Sequence, residues 1–408
     1  MKKDFSDSIK RLQDSPLFAL SLHGTELAHS NFWKWLIDYK VEKNDKETHP
    51  FIDVFINDFN KCEYFFQCAK REEGNRDLTI YYSDGNQDCC FVIENKIKSI
   101  PTVEQLEKYQ KVLDEKASQK KNTPKFVGGM LTGIISTLDL KEPWSFKSYE
   151  NIARGIETIG NKIFRDDVDN TDWIVVQKYI SDLRDETVIL SESLDACKNK
   201  YIASTEGLFP DYNLAGVKLD DIFLKINANH FGEYIRTNIQ NAGFSSTNGF
   251  LPKVEVSFNN KRPTITIVYS EKCDKKFSKL EEFGRLGIQI EGQQYRIYGG
   301  SSSKRSQYKT ARDIFDAFKK SKWFKEYDKG LLAGKKSSMR GSNKEKSNQY
   351  CLYTKENEYV HIYQYWDIDS LCSGTDKSVT YEELWRQIEA DLLIAKGIID
   401  SGFSFKQK

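Results

Sequence analysis

The chain has few of the residues that build metal sites from nitrogen and sulfur ligands. Its eight cysteines form no Cys-x-x-Cys pair, and its five histidines form no cluster along the sequence. Structural zinc sites and disulfide frameworks both depend on such spacings. Neither is therefore expected, and a reducing cytoplasm is the compartment that this cysteine usage favours.

Long apolar runs are also lacking. A membrane-spanning helix needs about 18 consecutive apolar residues, and the sequence contains no such stretch. The start, Met1-Lys2-Lys3-Asp4-Phe5, lacks the apolar core of a signal peptide. The chain is therefore expected to stay unexported and to have no contact with a membrane.

Charge of one sign is not in excess, because 61 Lys and Arg nearly balance 60 Asp and Glu, for a net charge of +1. Hydrophobic residues make up 39% and aromatic residues 13%, enough for ordered cores despite a charged fraction of 30%. A chain of 408 residues exceeds what a single core usually serves. Two domains are therefore expected.

Two strand-like segments each carry an acidic residue. Asp77 lies in the first, and Glu94 and Lys96 lie together at the end of the second. Side chains two residues apart on a strand share a face, so Glu94 and Lys96 can reach one site. The linking residues 83–88 are rich in Gly, Asn and Asp, which predicts a hairpin and brings Asp77 beside Glu94.

These three side chains together indicate a particular chemistry. Two carboxylates form a hard oxygen site of the kind that Mg²⁺ and Mn²⁺ prefer. Lys96 can hold an attacking water while the metal stabilises charge on a scissile phosphate. Glu-x-Lys alone is more often a weak ion pair at an exposed strand end, so the surrounding elements decide between the two interpretations.

The neighbouring segments supply further polar groups. Gln105 and Tyr109 lie one turn apart on one face of an amphipathic helix, and Glu26 lies near the start of another helix. The elements predicted around the two strands are a helix over residues 22–37, a helix over residues 102–113 and a strand over residues 125–135.

These segments resemble the PD-(D/E)XK nuclease superfamily, and most closely the bacterial branch known as PD-(D/E)XK nuclease superfamily 4. The resemblance covers roughly residues 15 to 140, with the motifs in the expected order. The motifs are Glu26-Leu27-x-His29-Ser30-x-Phe32-x-x-Trp35-Leu36, Arg76-Asp77-Leu78, Ile93-Glu94-Asn95-Lys96-Ile97 and Gln105-Leu106-x-x-Tyr109.

The resemblance implies an α/β fold with a restriction-endonuclease-like core, in which helices flank a mixed sheet. It also implies a role for each matching residue. Asp77 and Glu94 match the metal-binding acids, Lys96 the catalytic lysine, Glu26 a helix acid that also binds the metal, and Gln105 with Tyr109 the helix beside the site.

Four other polar residues near the motifs have two interpretations each. Glu72 and Glu73 would add acids near the metal, although paired charges before a turn are usually solvated. His29 would contact a phosphate or hold Glu26, but a histidine within a helix is more often structural. Arg76 would steady the phosphate or form an ion pair.

The second half of the chain is predicted to be a separate α+β domain, spanning residues 196–408, after a first domain of residues 1–195. The boundary follows a helix predicted over residues 173–194. Later elements include helices over residues 216–243, 310–327 and 381–399. Strands are predicted between these helices, and two of them cover residues 349–353 and 359–365.

Positive charge concentrates in this second half. Residues 301–350 contain 14 Lys or Arg against 5 Asp or Glu. Lys335, Lys336 and Arg340 lie in a loop of this segment that suits phosphate contacts, with a solvated surface loop as the equal alternative. Aromatic residues in 359–366 would stack on bases where they face outward, although part of such a strand must be core.

The sequence thus predicts a magnesium-dependent nuclease that hydrolyses phosphodiester bonds in DNA, as an endo- or exonuclease, with RNA as the alternative substrate. A role in defence against phage rests on family analogy alone. The rival interpretation is an inactive nucleic-acid-binding or regulatory protein on a nuclease fold. A metal-independent RNA-processing enzyme would need a histidine cluster. A homo-oligomer or a partner protein is compatible with the sequence.

Overall fold

The computed structural model describes most of the chain, which divides into two compact units. Unit 1 comprises Met1–Ala196 with Asp211–Phe223, and unit 2 comprises Cys197–Pro210 with Leu224–Lys408. The described residues are 3–19, 26–43, 46–56, 64–96, 103–119, 123–134, 140–205, 214–244, 252–259, 262–272, 282–302, 311–319, 321, 323–328, 330–334, 336–341, 359–367 and 378–403.

In unit 1, helices flank the strands of a sheet. Its helices are α1 (Lys3–Gln13), α2 (Pro16–Ala19), α3 (Glu26–Asp38), α4 (Asp53–Ile56), α5 (Val103–Gln119), α6 (Tyr149–Ile163) and α7 (Thr171–Ala196). Its strands are β1 (Val41–Lys43), β2 (Lys46–Thr48), β3 (Phe65–Arg71), β4 (Leu78–Ser83), β5 (Asp88–Lys96), β6 (Lys125–Gly133) and β7 (Trp144–Ser148).

The main sheet of unit 1 has the strand order β3-β4-β5-β6-β7. The predicted hairpin is confirmed, because β4 and β5 pair antiparallel, whereas β5, β6 and β7 run parallel. The central strand β5 is buried from Cys89 to Asn95, as its apolar run predicts. The predicted fold class, a mixed sheet flanked by helices, is therefore confirmed for this unit.

Helix α5 connects β5 to β6 and packs its apolar face on the sheet. Leu106, Tyr109 and Leu113 are buried there against Val92 and other strand residues. These helix positions recur every three or four residues, as a single buried helix face requires. The packing fixes the side of α5 that carries Gln105 and Tyr109 at the end of β5.

Unit 2 is built on an antiparallel sheet. Its elements are β8 (Lys200–Ile202), α8 (Asp220–Asn241, which begins in unit 1), β9 (Lys253–Asn259), β10 (Arg262–Lys272), β11 (Glu282–Glu291), β12 (Gln294–Ser302), α9 (Ala311–Lys319), β13 (Ser338–Gly341), β14 (Tyr359–Asp367), β15 (Ser378–Thr380) and α10 (Tyr381–Asp400). The sheet order is β13-β14-β12-β11-β10-β9.

One face of this sheet forms the core of unit 2 with residues of α8, α9 and α10. Helix α10 begins at a capping box, in which Thr380 and Glu383 satisfy each other's backbone N–H groups. The predicted α+β region is confirmed. The helix predicted over residues 310–327 is shorter, because α9 ends at Lys319 and Trp323 is then buried, with its Nε1 donating to the Tyr298 carbonyl.

The strand predicted over residues 349–353 lies outside the described residues. Within the part of the chain that the structure describes, no helix is both long and apolar enough to span a membrane.

Candidate active site

The antiparallel pairing of β4 and β5 brings Asp77 and Glu94 together. Leu78 is paired with Ile93, so Asp77, one residue before Leu78, lies opposite Glu94. The Asn95 backbone N–H donates to Asp77 Oδ2 at 2.7 Å. The backbone of β5 therefore fixes the Asp77 carboxylate next to the strand position that carries Glu94.

The Glu94 carboxylate is almost completely buried and is held through one oxygen. Its exposed fraction is 1%. Oε1 accepts hydrogen bonds from Lys96 Nζ and from Gln105 Nε2, each at 2.7 Å. Oε2 is buried and has no hydrogen-bond partner among the described residues. A buried polar atom without a partner costs free energy, so this oxygen needs an explanation.

The electrostatics of Glu94 follow from this burial. Desolvation and, second, the negative charge of Asp77 raise the pKa of Glu94 to about 7, while Lys96 opposes the shift. Two carboxylates in a buried site repel each other unless a positive charge joins them. A divalent cation supplies that charge, and the oxygen ligands suit Mg²⁺ or Mn²⁺. The residues present therefore fit a metal site.

A chain of hydrogen bonds from α5 supports the Glu94 carboxylate. Gln105 Nε2 lies 2.8 Å from the Tyr109 hydroxyl, and that hydroxyl donates to the Asn75 carbonyl at 2.6 Å. Burial is the main cause that raises the pKa of Tyr109, so the hydroxyl keeps its proton as a donor. Gln105 and Tyr109 thus connect Glu94 to the loop before Asp77.

That loop has an unusual backbone. Glu72, Gly74 and Asn75 all have positive φ angles, of 54°, 65° and 64°. Such conformations cost free energy for residues other than glycine and occur often at functional sites. Arg76 is buried, and its Nε donates to Thr79 Oγ1 at 3.2 Å, which anchors the chain directly before Asp77.

The reverse face of β5 carries a buried polar group that sequence reasoning missed. Asn95 Oδ1 accepts hydrogen bonds from the Tyr149 hydroxyl and from Thr132 Oγ1, the latter at 3.3 Å. The side chain therefore ties β5 to β6 and α6, while its backbone N–H holds Asp77. The sequence signal that could have identified Asn95 is a polar residue within an otherwise apolar, buried strand.

Several residues singled out in the sequence are used elsewhere. Glu73 accepts from Tyr81 and forms ion pairs with Lys70 and Arg76, and Glu72 is exposed. His29 is 1% exposed, and its Nδ1 lies 2.8 Å from the Tyr179 hydroxyl, as expected for a structural histidine.

Three of the predicted residues are described in part or not at all, and a fourth is exposed. Helix α3 begins at Glu26, but the Glu26 side chain lies outside the described residues. Lys335 also lies outside them, as does the side chain of Arg340, whose backbone belongs to β13, and Lys336 is exposed. No group of three or more acidic, His or Cys side chains suited to a metal occurs among the described residues.

The fold and the site together are typical of restriction-endonuclease-like enzymes: a mixed sheet with two acids and a lysine at the end of its central strands. Residues 16–202 match a family model described as PD-(D/E)XK nuclease superfamily. This match confirms the resemblance over residues 16–202. A search of curated proteins and a search of solved structures each found no match.

Proposed function

We propose that unit 1 is a divalent-metal-dependent nuclease that hydrolyses phosphodiester bonds in DNA, with Mg²⁺ or Mn²⁺ as its cofactor. The observation that carries the proposal is the buried Oε2 of Glu94, which has no hydrogen-bond partner among the described residues and lies beside Asp77. A bound cation would give the buried oxygen a partner and would offset the repulsion between the two acids.

Each polar residue of the site has a distinct task. Asp77 and Glu94 would hold the ion, with Glu26 as a third candidate ligand. When bound, such an ion stabilises charge on the phosphate and lowers the pKa of a water. Lys96 donates hydrogen bonds to the attacking water and to a phosphate oxygen. Gln105 holds Oε1 of Glu94 and thereby fixes the direction of the carboxylate.

The direct test is a cleavage assay with the purified chain. Supercoiled, linear and single-stranded DNA and an RNA of matched length would each be incubated with Mg²⁺, Mn²⁺ or EDTA. DNA cleavage that requires the metal is the expected result, and nicked circles would identify an endonuclease. Binding of DNA without cleavage under every metal condition would favour the inactive binding protein and would contradict the proposal.

Unit 2 is proposed to bind the DNA backbone through its basic segment. Lys335, Lys336 and Arg340 belong to the most strongly charged part of the sequence. Each phosphate contact steepens the salt dependence of duplex binding by about 0.9. Replacing all three residues by Ala should flatten that dependence without changing single-turnover cleavage of bound substrate. An unchanged salt dependence would remove these residues from the interface.

A cytoplasmic role in bacterial defence against phage is the biological setting that we propose. It is supported by family analogy and by cysteine usage. Bacteria that express the intact chain should resist phage infection better than bacteria that express Glu94→Gln. Equal plating efficiency on the two strains over a broad set of phages would count against this role.

A further inference from the structure

The unit 2 sheet has a second face, which carries aromatic and cationic side chains. Along β14, Ile362 and Trp366 are buried in the core, whereas the alternate residues His361, Tyr363 and Tyr365 are only partly buried. Alternation along a strand therefore points these three rings away from the core. Arg296 and Tyr298 of the neighbouring strand β12 lie on the same side of the sheet, with Arg296 partly buried and Tyr298 only 7% exposed. These five residues form what we call the aromatic face.

The rings of this face form a row along one strand. The His361 and Tyr363 ring centroids are 6.2 Å apart and nearly parallel, and the Tyr363 and Tyr365 centroids are 6.0 Å apart. The Arg296 guanidinium lies 4.9 Å from the Tyr363 ring centroid. Arg296 also donates to Gln289 Oε1 at 2.9 Å and to Glu291, which holds it in place.

The Tyr298 residue of β12 lies next to this row. Tyr298 is paired with Tyr363 on one side and with Gly287 on the other. A Cβ atom at Gly287 would lie 2.7 Å from the Tyr298 ring and hydroxyl, so the ring extends across β11 over the glycine. The Arg285 guanidinium lies 5.6 Å from the Tyr298 ring centroid. The face therefore alternates rings and guanidinium groups.

A strand from the basic part of the sequence forms one edge of this sheet. Strand β13 comes from the basic segment of residues 301–350, and it pairs with β14 so that Arg340 stands opposite Tyr363. The backbone topology therefore brings part of the most basic stretch of the sequence to the edge of the aromatic row. A polyanion with flat rings complements both properties at once.

We propose that the aromatic face binds single-stranded DNA, with bases stacked on Tyr363 and its neighbouring rings and with phosphates near Arg296 and the basic edge. Unpaired bases expose their flat sides to such rings, whereas the bases of a duplex are stacked on one another. The choice of DNA over RNA rests on the proposed function. Binding itself requires neither metal nor cleavage.

The test is fluorescence anisotropy of a labelled single-stranded oligonucleotide with the full chain in EDTA. Tyr363→Ala should weaken binding about 10-fold, since it removes a ring on which one base stacks. Tyr363→Phe keeps the ring and should stay within about twofold of wild type, and thermal unfolding checks that both variants fold. A duplex of the same length should be much less sensitive to Tyr363→Ala.

Photocrosslinking of the wild-type chain adds a measurement that needs no variant. An oligonucleotide that contains 5-iododeoxyuridine should crosslink to peptides with Tyr363 or Tyr365. Crosslinks found only elsewhere, or equal affinity of Tyr363→Ala and wild type, would overturn the proposal and indicate a protein partner. An RNA that binds at least tenfold more tightly would overturn the assignment to DNA. Cleavage with no binding by this face refutes this proposal alone, and binding with no cleavage refutes only the nuclease proposal.

Discussion

The sheets of the two units differ in where they hold their charged side chains. In unit 1, Glu94 is 1% exposed, and its neighbours Asp77 and Lys96 converge on it at one strand end. In unit 2, the Arg296 side chain is 13% exposed and is paired with Glu291, and the partly exposed groups beside it are the rings of His361, Tyr363 and Tyr365. Buried, converging charges suit chemistry, because a low-dielectric site strengthens their effect on a reacting group. Partly exposed rings beside a guanidinium group suit binding.

The largest expected effect separates cutting from binding. Glu94→Gln and Asp77→Asn keep the size of each side chain but remove the negative charge that a cation needs. Each should reduce DNA cleavage by a factor of at least about 100, since metal stabilisation of the transition state amounts to several kcal/mol. DNA binding in EDTA should be preserved in both variants.

Glu255→Gln is the matched control for these variants, because Glu255 is an exposed residue of β9 in unit 2. Its cleavage rate should equal that of wild type. Full activity in either Glu94→Gln or Asp77→Asn would show that the acids of unit 1 are not needed for cleavage.

Lys96 provides the next test, because the proposed mechanism assigns it to water and phosphate and not to the metal. Lys96→Ala should lower the rate of bound-substrate cleavage about 100-fold, within the range for the loss of one positioned hydrogen-bond donor, while metal affinity stays close to wild type. Lys253→Ala, at an exposed position of β9, is the control and should change neither quantity. A loss of metal affinity as large as in Glu94→Gln would contradict this role.

The pKa of Glu94 predicts how metal-free stability depends on pH. Burial and Asp77 raise that pKa from 4.5 to about 7, so between these values the folded chain keeps a proton that the unfolded chain has lost. The free energy of unfolding should therefore fall as pH rises through this window, by at most about 3 kcal/mol at 1.4 kcal/mol per pKa unit.

Urea unfolding in EDTA measures this dependence. Glu94→Gln cannot titrate at this position and should show a smaller decline between pH 5 and about 7.5. The same decline in both proteins would show that Glu94 does not carry the effect.

The smallest expected effect concerns the support behind Glu94. Tyr109→Phe removes the hydroxyl that donates to the Asn75 carbonyl and contacts Gln105. The free energy of unfolding should fall by about 1 kcal/mol, the usual contribution of one hydrogen bond, and the cleavage rate should fall several-fold. Tyr234→Phe in unit 2 is the matched control and should leave cleavage unchanged. If Tyr109→Phe loses stability without any loss of rate, the hydroxyl has only a structural role.

The sequence was sufficient for the parts of unit 1 that depend on short-range periodicity. The hairpin after Asp77 and the shared face of Glu94 and Lys96 follow from the two-residue repeat of a strand. The side of α5 that carries Gln105 and Tyr109 follows from the helical repeat. These positions needed no knowledge of distant contacts.

Other parts of the site depend on residues far apart in the chain. Tyr149 reaches Asn95 across 54 positions, and Tyr109 reaches Asn75 across 34. The positive φ angles of Glu72 and Asn75 are likewise imposed by tertiary contacts rather than by residue type. In unit 2, the burial of Trp323 beneath Tyr298 ends α9 earlier than its apolar repeat predicts.

Metal binding in the absence of nucleic acid tests the central claim most directly. Titration of the purified chain with Mn²⁺, followed by electron paramagnetic resonance, should reveal a specific site in wild type and in Glu255→Gln. Glu94→Gln and Asp77→Asn should bind the ion at least about tenfold more weakly, because each removes one of the two carboxylates. Equal Mn²⁺ affinity and stoichiometry in wild type and Glu94→Gln would contradict the assignment of the site.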